Sequence, residues 1–270
     1  MKKKLNSILK YSFLIIVSII SVFPLYWMVS SATNTSVDVI HGRLIPGLHL
    51  FENFKTLTAN QPLLGTSFIN SFRNATIQTF LSLLVCSLAG YGFEIYHDKK
   101  KDRLMAILMF SMMVPFAATM IPLFQMVSEM KLIGTTIGFI LPAISTPVMI
   151  MLFRQSARSF PYEIIEASRV DGLNEIQIFF RMFIPTMRST YASATIVIFM
   201  NAWNSYLWPK IIMVTSESQT MPMLVANLIQ AYVVDYGMVM LGVTICTLPA
   251  VIIFFLLQKS FAEGITGAVK

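Results

Sequence analysis

Six stretches of the chain are almost continuously apolar: residues 11–32, 67–96, 104–126, 137–153, 191–214 and 238–258. A helix crosses a hydrocarbon core of about 30 Å with roughly 20 such residues, so each stretch is long enough, the fourth at the lower limit. Between the fourth and fifth lies a polar segment, 154–190, much longer than two neighbouring spans need to reconnect. This pattern predicts an all-α polytopic membrane protein of six transmembrane helices, folded over 1–270 as a single transmembrane domain.

Composition agrees with the pattern. Hydrophobic side chains make up 56% and charged ones 12%, against about 25% charged in soluble domains, which excludes an ordinary soluble enzyme. The +7 charge comes from 20 Lys+Arg against 13 Asp+Glu. With the N-terminus inside, fifteen of the basic residues fall on the inner side and five, Arg43, Lys55, Arg73, Lys131 and Lys210, on the outer. The positive-inside rule therefore predicts both ends in the cytoplasm, and the basic excess requires no nucleic acid. Met1-Lys-Lys-Lys4 with Ser30-Ser-Ala32 alternatively reads as a signal peptide, but the apolar body is too long and holds Pro24 and Trp27, so a retained anchor is expected. Cys86 and Cys246 lie inside apolar segments, and His41, His49 and His97 are dispersed, so no disulfide framework or metal site is expected. Nineteen methionines without accompanying Cys or His read as adaptable packing, as in the third span with its Pro115 and Pro122.

Segment 154–190 reads as helix, glycine turn, helix. Pro161 suits a first helical position with Ser159 as a cap, and Gly172 supplies a left-handed residue. Asn174 followed by Gln177 opens a second helix that runs through Phe179, Phe180 and Phe183 to Pro185. On composition alone, such a pair serves equally as an interfacial amphipathic connection.

Polar groups inside the spans need a reason. In the second span Asn70, Asn74, Gln78, Ser82, Cys86, Gly90 and Glu94 recur every four residues, a stripe that is either a packing seam between helices or part of a solute path. In the fifth, Asn201, Asn204, Ser205 and Trp208 stand at i, i+3, i+4 and i+7 and share a helix face. Amides beside an aromatic ring suit sugar hydroxyls and the apolar face of a pyranose. The competing reading makes Trp208 an interfacial belt residue and turns the amides toward another subunit. In the outer loop 215–237, Met221-Pro-Met-Leu224 is either an apolar docking edge or a packed, re-entrant piece.

Glu166-Ala-Ser-Arg-Val-Asp-Gly172, followed by Phe179 and Ile184-Pro185, resembles the EAA signature of ABC importer permeases, with Ser168 where alanine is usual. Phe23-Pro-Leu-Tyr-Trp27, Ala89-Gly-Tyr-Gly-Phe93, Trp203-Asn-Ser-Tyr-Leu-Trp-Pro209 and the tail Phe261-Ala-Glu-Gly-Ile-Thr-Gly-Ala-Val-Lys270 extend the resemblance to the shorter permease of maltose-type carbohydrate importers. Glu94 departs from it, standing where a small residue is expected. The resemblance implies a second homologous permease subunit, two copies of a cytoplasmic ABC ATPase and an extracytoplasmic sugar-binding protein, all around a chain embedded in membrane lipid. It implies that Glu166, Ala167, Ser168, Asp171 and Gly172 couple to the ATPase, and that Phe261, Gly264 and Gly267 of the cytoplasmic tail 259–270 reach the same partner, against the bland alternative of a frayed end. ATP and Mg would be bound by that ATPase, with no cofactor here: no Gly-x-x-x-x-Gly-Lys-[Ser/Thr] loop occurs, and Gly264-Ile-Thr-Gly-Ala-Val-Lys270 has the wrong spacing. The expected function is therefore a non-enzymatic permease of an ATP-driven sugar importer in a bacterial cell membrane. A permease of the same architecture for another solute is the alternative, and an ion-coupled secondary transporter lacks the paired intramembrane carboxylates it would need.

Overall fold

The computed structural model describes the backbone of residues 2–230 and 232–267, and the side chains of 6–230 and 232–258. Among the described residues every regular element is helical. In chain order the α-helices are α1 (Lys2–Ser31), α2 (Ser36–Ile40), α3 (Leu50–Asn60), α4 (Leu64–Ile95), α5 (Lys99–Ser111), α6 (Phe116–Glu129), α7 (Thr136–Ile140) and α8 (Pro147–Ala157). They continue with α9 (Tyr162–Val170), α10 (Glu175–Ile178), α11 (Ile184–Thr186), α12 (Arg188–Trp203), α13 (Leu207–Ile212), α14 (Met221–Leu228) and α15 (Tyr236–Gly267).

Three helical stretches, Asn6–Ser31, Leu64–Ile95 and Tyr236–Gln258, are long and apolar enough to cross a membrane unbroken. The other expected spans are interrupted, and prolines explain where. The third bends by 101° between α5 and α6. Pro115 has no N–H to donate and biases Val114 away from helix, so the chain turns over Met112–Val114 and restarts at Phe116. The fourth bends by 55°, because Pro147 restarts it as the first residue of α8 behind an extended Thr146. The fifth ends at Trp203 after 16 residues. A continuous helix would need an N–H at Pro209 for the Ser205 carbonyl. Instead the helix resumes at Leu207, which leaves Pro209 in a first turn whose N–H groups need no intrahelical partner. Pro24, Pro122 and Pro249, by contrast, lie inside continuous helices.

The chain divides into two units, Met1–Gly65 with Leu224–Pro249 and Thr66–Met223 with Ala250–Lys270. In the first, Asn53 Nδ2 donates to the carbonyls of Ala32 and Asn34, both at 2.9 Å. Asn34 Nδ2 donates to Ser30 and Ile45. Gly237 packs so tightly here that a Cβ would lie 2.5 Å from the Asn34 carbonyl oxygen.

In the second unit the four-residue stripe of α4 is a seam. Asn70 Nδ2 donates to the carbonyl of Gln219 at 3.1 Å. Asn74 Oδ1 accepts from Thr136 at 3.0 Å, and Ser82 Oγ donates to the Ala143 carbonyl at 3.1 Å. Cys86 Sγ points at the Ile144 carbonyl, 3.6 Å away. A Cβ on Gly90 would stand 2.6 Å from the Arg154 backbone nitrogen, so α4 and α8 touch there backbone to backbone. Glu94 ends the stripe by accepting from Arg154 at 3.1 Å and from Arg158 at 3.3 Å. That is a reason for an acidic residue where the family resemblance predicts a small one. Of the seven, Gln78 borders a cavity.

Candidate functional site

Two features of the second unit carry chemistry. The first is the segment around α9. Its helix begins at Tyr162 with Pro161 as the extended cap residue. The expected arrangement is therefore shifted by one position, and Ser159 does not cap it: its hydroxyl donates to the Ser156 carbonyl instead. The helix ends as the residues dictate. Gly172 takes φ +83°, its N–H donates to the Arg169 carbonyl, and the Leu173 N–H donates to the Ser168 carbonyl. These two bonds satisfy the last carbonyls of α9 through a left-handed residue. Asn174 then opens α10 with the expected reciprocal cap, each of Asn174 and Gln177 accepting the other's backbone N–H at 2.9 Å.

This turn is seated on a buried aromatic cluster. Tyr91 of α4 stands edge-on to Phe179 at 5.4 Å and to Phe183 at 4.9 Å, and Phe160 meets Phe183 at 5.5 Å. Ile165 and Ser168 of α9 face this core. Ser168, expected to permit a partner's approach, is thus turned into its own chain, where its hydroxyl donates to the Ile164 carbonyl at 2.6 Å. Glu166, Ala167, Asp171 and Gly172 remain exposed, together with Val170. Glu175 fixes the two helices to each other: it accepts from Arg169 at 2.8 Å and from the Tyr96 hydroxyl. The Arg169 guanidinium, then the Tyr96 hydroxyl, hold the Glu175 carboxyl below its ordinary range, and Glu175 in turn raises Arg169.

The second feature is a cavity of about 560 Å³, lined in part by Gln78, Asn201, Asn204, Ser205, Tyr206 and Trp208. All four residues expected on one face of the fifth span border it, although no single helix holds them. Asn201 belongs to α12, Asn204 and Ser205 to the break, and Trp208 to α13. Phe116, Phe139, Pro142, Ala143 and Thr146 complete most of the wall, and among the described residues no Asp, Glu, Lys, Arg or His lines it. Trp208 is buried, with its indole N–H donating to the Gly138 carbonyl at 3.1 Å, so it is a fixed wall and not the exposed ring of an interfacial belt.

Sequence reasoning placed Gln78 in the stripe and so missed it as a cavity residue. The available signal was that it is the longest uncharged side chain of the seven. Met221-Pro-Met-Leu224, read as either a docking edge or a packed piece, has Met221, Met223 and Leu224 buried, which favours packing. Phe261, Gly264 and Gly267 lie on the helical backbone of α15, but their side-chain surroundings fall outside the described residues.

Comparisons with known proteins agree with this architecture. Over 272 residues the chain is 42% identical to the lactose transport system permease protein LacG of Rhizobium radiobacter, covering 100% of this chain and 98% of that one. It is 31% identical to the arabinooligosaccharides transport system permease protein AraQ of Halalkalibacterium halodurans, with 100% of both covered. The fold superposes at TM-score 0.82 and 20% identity on a chain from the crystal structure of a bacterial ABC transporter involved in the import of the acidic polysaccharide alginate, covering 97% of this chain and 98% of that one. The family of binding-protein-dependent transport system inner membrane components matches residues 82–267. With most of its length inside that match and a full-length relative at 42% identity, the chain belongs to the family of inner membrane components of binding-protein-dependent transport systems.

Proposed function

We propose that this chain is one permease of an ATP-driven, binding-protein-dependent importer of uncharged oligosaccharides in a bacterial cell membrane. It crosses six times with both ends in the cytoplasm, in keeping with the fifteen-to-five distribution of basic residues. A second homologous permease encloses the path with it, an extracytoplasmic binding protein delivers the sugar, and two copies of a cytoplasmic ATPase bind ATP and Mg and do the hydrolysis. This chain catalyses no reaction of its own.

The observation that carries the substrate class is the cavity lining: amides, hydroxyls and aromatic rings with no charged group. Such a wall can exchange hydrogen bonds with a sugar and stack against its ring, whereas an anionic solute would lose hydration with no countercharge to replace it. The exposed face of α9, with Glu166, Ala167, Asp171 and Gly172, seats in the ATPase. A short helix braced by the Tyr91–Phe179–Phe183 cluster transmits a push better than a flexible loop would. The tail with Phe261, Gly264 and Gly267 reaches the same partner, and its deletion over 263–270 is expected to impair transport-coupled hydrolysis.

Uptake by the reconstituted complex tests the reading with labelled lactose, arabinotriose, maltotriose and sn-glycerol 3-phosphate. ATP-dependent accumulation of at least one neutral sugar and none of the phosphate ester is expected. Accumulation of the ester alone, or of nothing, would contradict it.

A further inference from the structure

Gln78 departs from the seam it belongs to. Its stripe neighbours, one turn away on either side, are tied to packed segments, Asn74 through Oδ1 to Thr136 and Ser82 through its hydroxyl to the Ala143 carbonyl, although Asn74 Nδ2 has no partner among the described residues. Gln78 is only 6% exposed, and its amide, which makes no hydrogen bond among the described residues, is left to the space of the cavity. It borders the cavity, whose lining also holds Asn201, Asn204 and Ser205. A primary amide carries two donors and an acceptor, and at a cavity wall these must be met by whatever occupies the cavity, water or solute. Packing does not explain the choice either: an apolar side chain of similar length, such as methionine, would fill the same position without a polar group to satisfy.

A ligand that answers this amide must offer hydroxyls, which accept and donate at one atom, and must be neutral, because the lining holds no countercharge. A glycosyl unit meets both conditions, and the nearby Phe116, Phe139, Tyr206 and Trp208 supply ring surface for its apolar face. We propose that Gln78 is a specificity-determining residue of the cavity, hydrogen-bonding a hydroxyl of an uncharged glycosyl unit on its way through. This rests on the reading of the cavity as part of the sugar path.

A thiol reporter separates the two ideas. In a chain with Cys86→Ala and Cys246→Ala, Ala143→Cys places a single reactive thiol on the cavity wall of the assembled complex. Its alkylation rate is measured against increasing concentrations of the best-imported sugar of the uptake panel. Protection of the thiol is expected, with the half-protecting concentration raised about tenfold by Gln78→Met, which keeps length and removes the amide. Gln78→Leu, which removes the amide with a different apolar shape, covers the case of a methionine variant that does not assemble and is expected to shift the concentration in the same direction. Protection that is unchanged in both Gln78 variants would overturn the role of Gln78 while leaving the path reading intact. A thiol that no imported sugar protects, with Gln78 in place, would overturn both.

Discussion

Arg154 donates from Nε to Glu94 Oε2 at 3.1 Å and from Nη2 to Asp102 Oδ1 at 2.5 Å, with its side chain only 5% exposed. One guanidinium thereby ties together the end of α4, the first turn of α5 and the last turn of α8, the helix that leads into the α9 turn. Arg158 meets the same Glu94 at 3.3 Å but is 49% exposed. Removing a buried ion's partner is far more damaging than breaking a solvated pair. Arg154→Met is therefore expected to destabilise the purified complex by about 2 kcal/mol or more, and Arg158→Met by less than about 1 kcal/mol. Thermal unfolding in detergent reads both, and equal effects would contradict the assignment of Arg154 as the tie.

Gly172 has nothing within 4 Å of the place a Cβ would occupy, so any penalty there comes from its φ of +83° and not from crowding. Gly172→Ala should lose about 1 kcal/mol of turn stability and Gly172→Val more, whereas Gly172→Asn, which tolerates the left-handed region, should be close to wild type. The readout is ATPase association and sugar-stimulated turnover of the purified complex. The expected order is Gly, Asn, Ala, Val, and normal turnover in Gly172→Val would show that the turn is not needed for coupling.

At Gly90 the opposite holds: the obstacle is the backbone nitrogen of Arg154 and the Cβ of Phe153, both 2.6 Å from an added Cβ. Neither can swing away as a side-chain tip could. Gly90→Ala should push α4 and α8 apart, at about 1–3 kcal/mol, and should reduce the yield of assembled complex while membrane insertion continues. Equal yields by size-exclusion chromatography would argue that the helices do not meet there.

Acidification should loosen the α9 turn. The Glu175 carboxyl is held below its ordinary value by Arg169 and then by Tyr96, so its ionised form is favoured in the fold. Its contribution is present above the ordinary glutamate range and is lost as pH falls through the lowered value. Amide hydrogen exchange over residues 162–178 should therefore accelerate, beyond its intrinsic pH dependence, as the pH falls below the ordinary glutamate range. Glu175→Gln should show the loosened state at neutral pH and remove that pH dependence.

Much of this was legible in the residues, because the signals were local. Gly172, the Asn174–Gln177 cap and the long apolar runs each report a constraint set within one or two turns. The breaks in the third, fourth and fifth expected spans were less legible: a proline inside a long apolar helix is sometimes absorbed, as Pro24 and Pro249 are, and sometimes ends the helix, as at Pro115 and Pro147. Tertiary packing decides which. The cavity lay between these cases. Its four residues on the fifth span were found by a helical spacing that the chain does not keep, while Gln78 was hidden because a seam and a cavity wall share the same four-residue period. Ser168 was misplaced for a related reason, since a small residue suits a close approach from either side of a helix.

The most direct measurement concerns the cavity as the route. In a chain with Cys86→Ala, Cys246→Ala and Ser205→Cys, the importer is assembled first and then labelled with either a methyl-sized or a bulky thiol reagent, so that folding is complete before the cavity is filled. The expected result is ATP-driven sugar uptake that survives the small label and falls at least about tenfold with the bulky one, consistent with filling a space of about 560 Å³. Uptake at the unlabelled rate, with the bulky label shown to be stoichiometrically attached, would contradict the account.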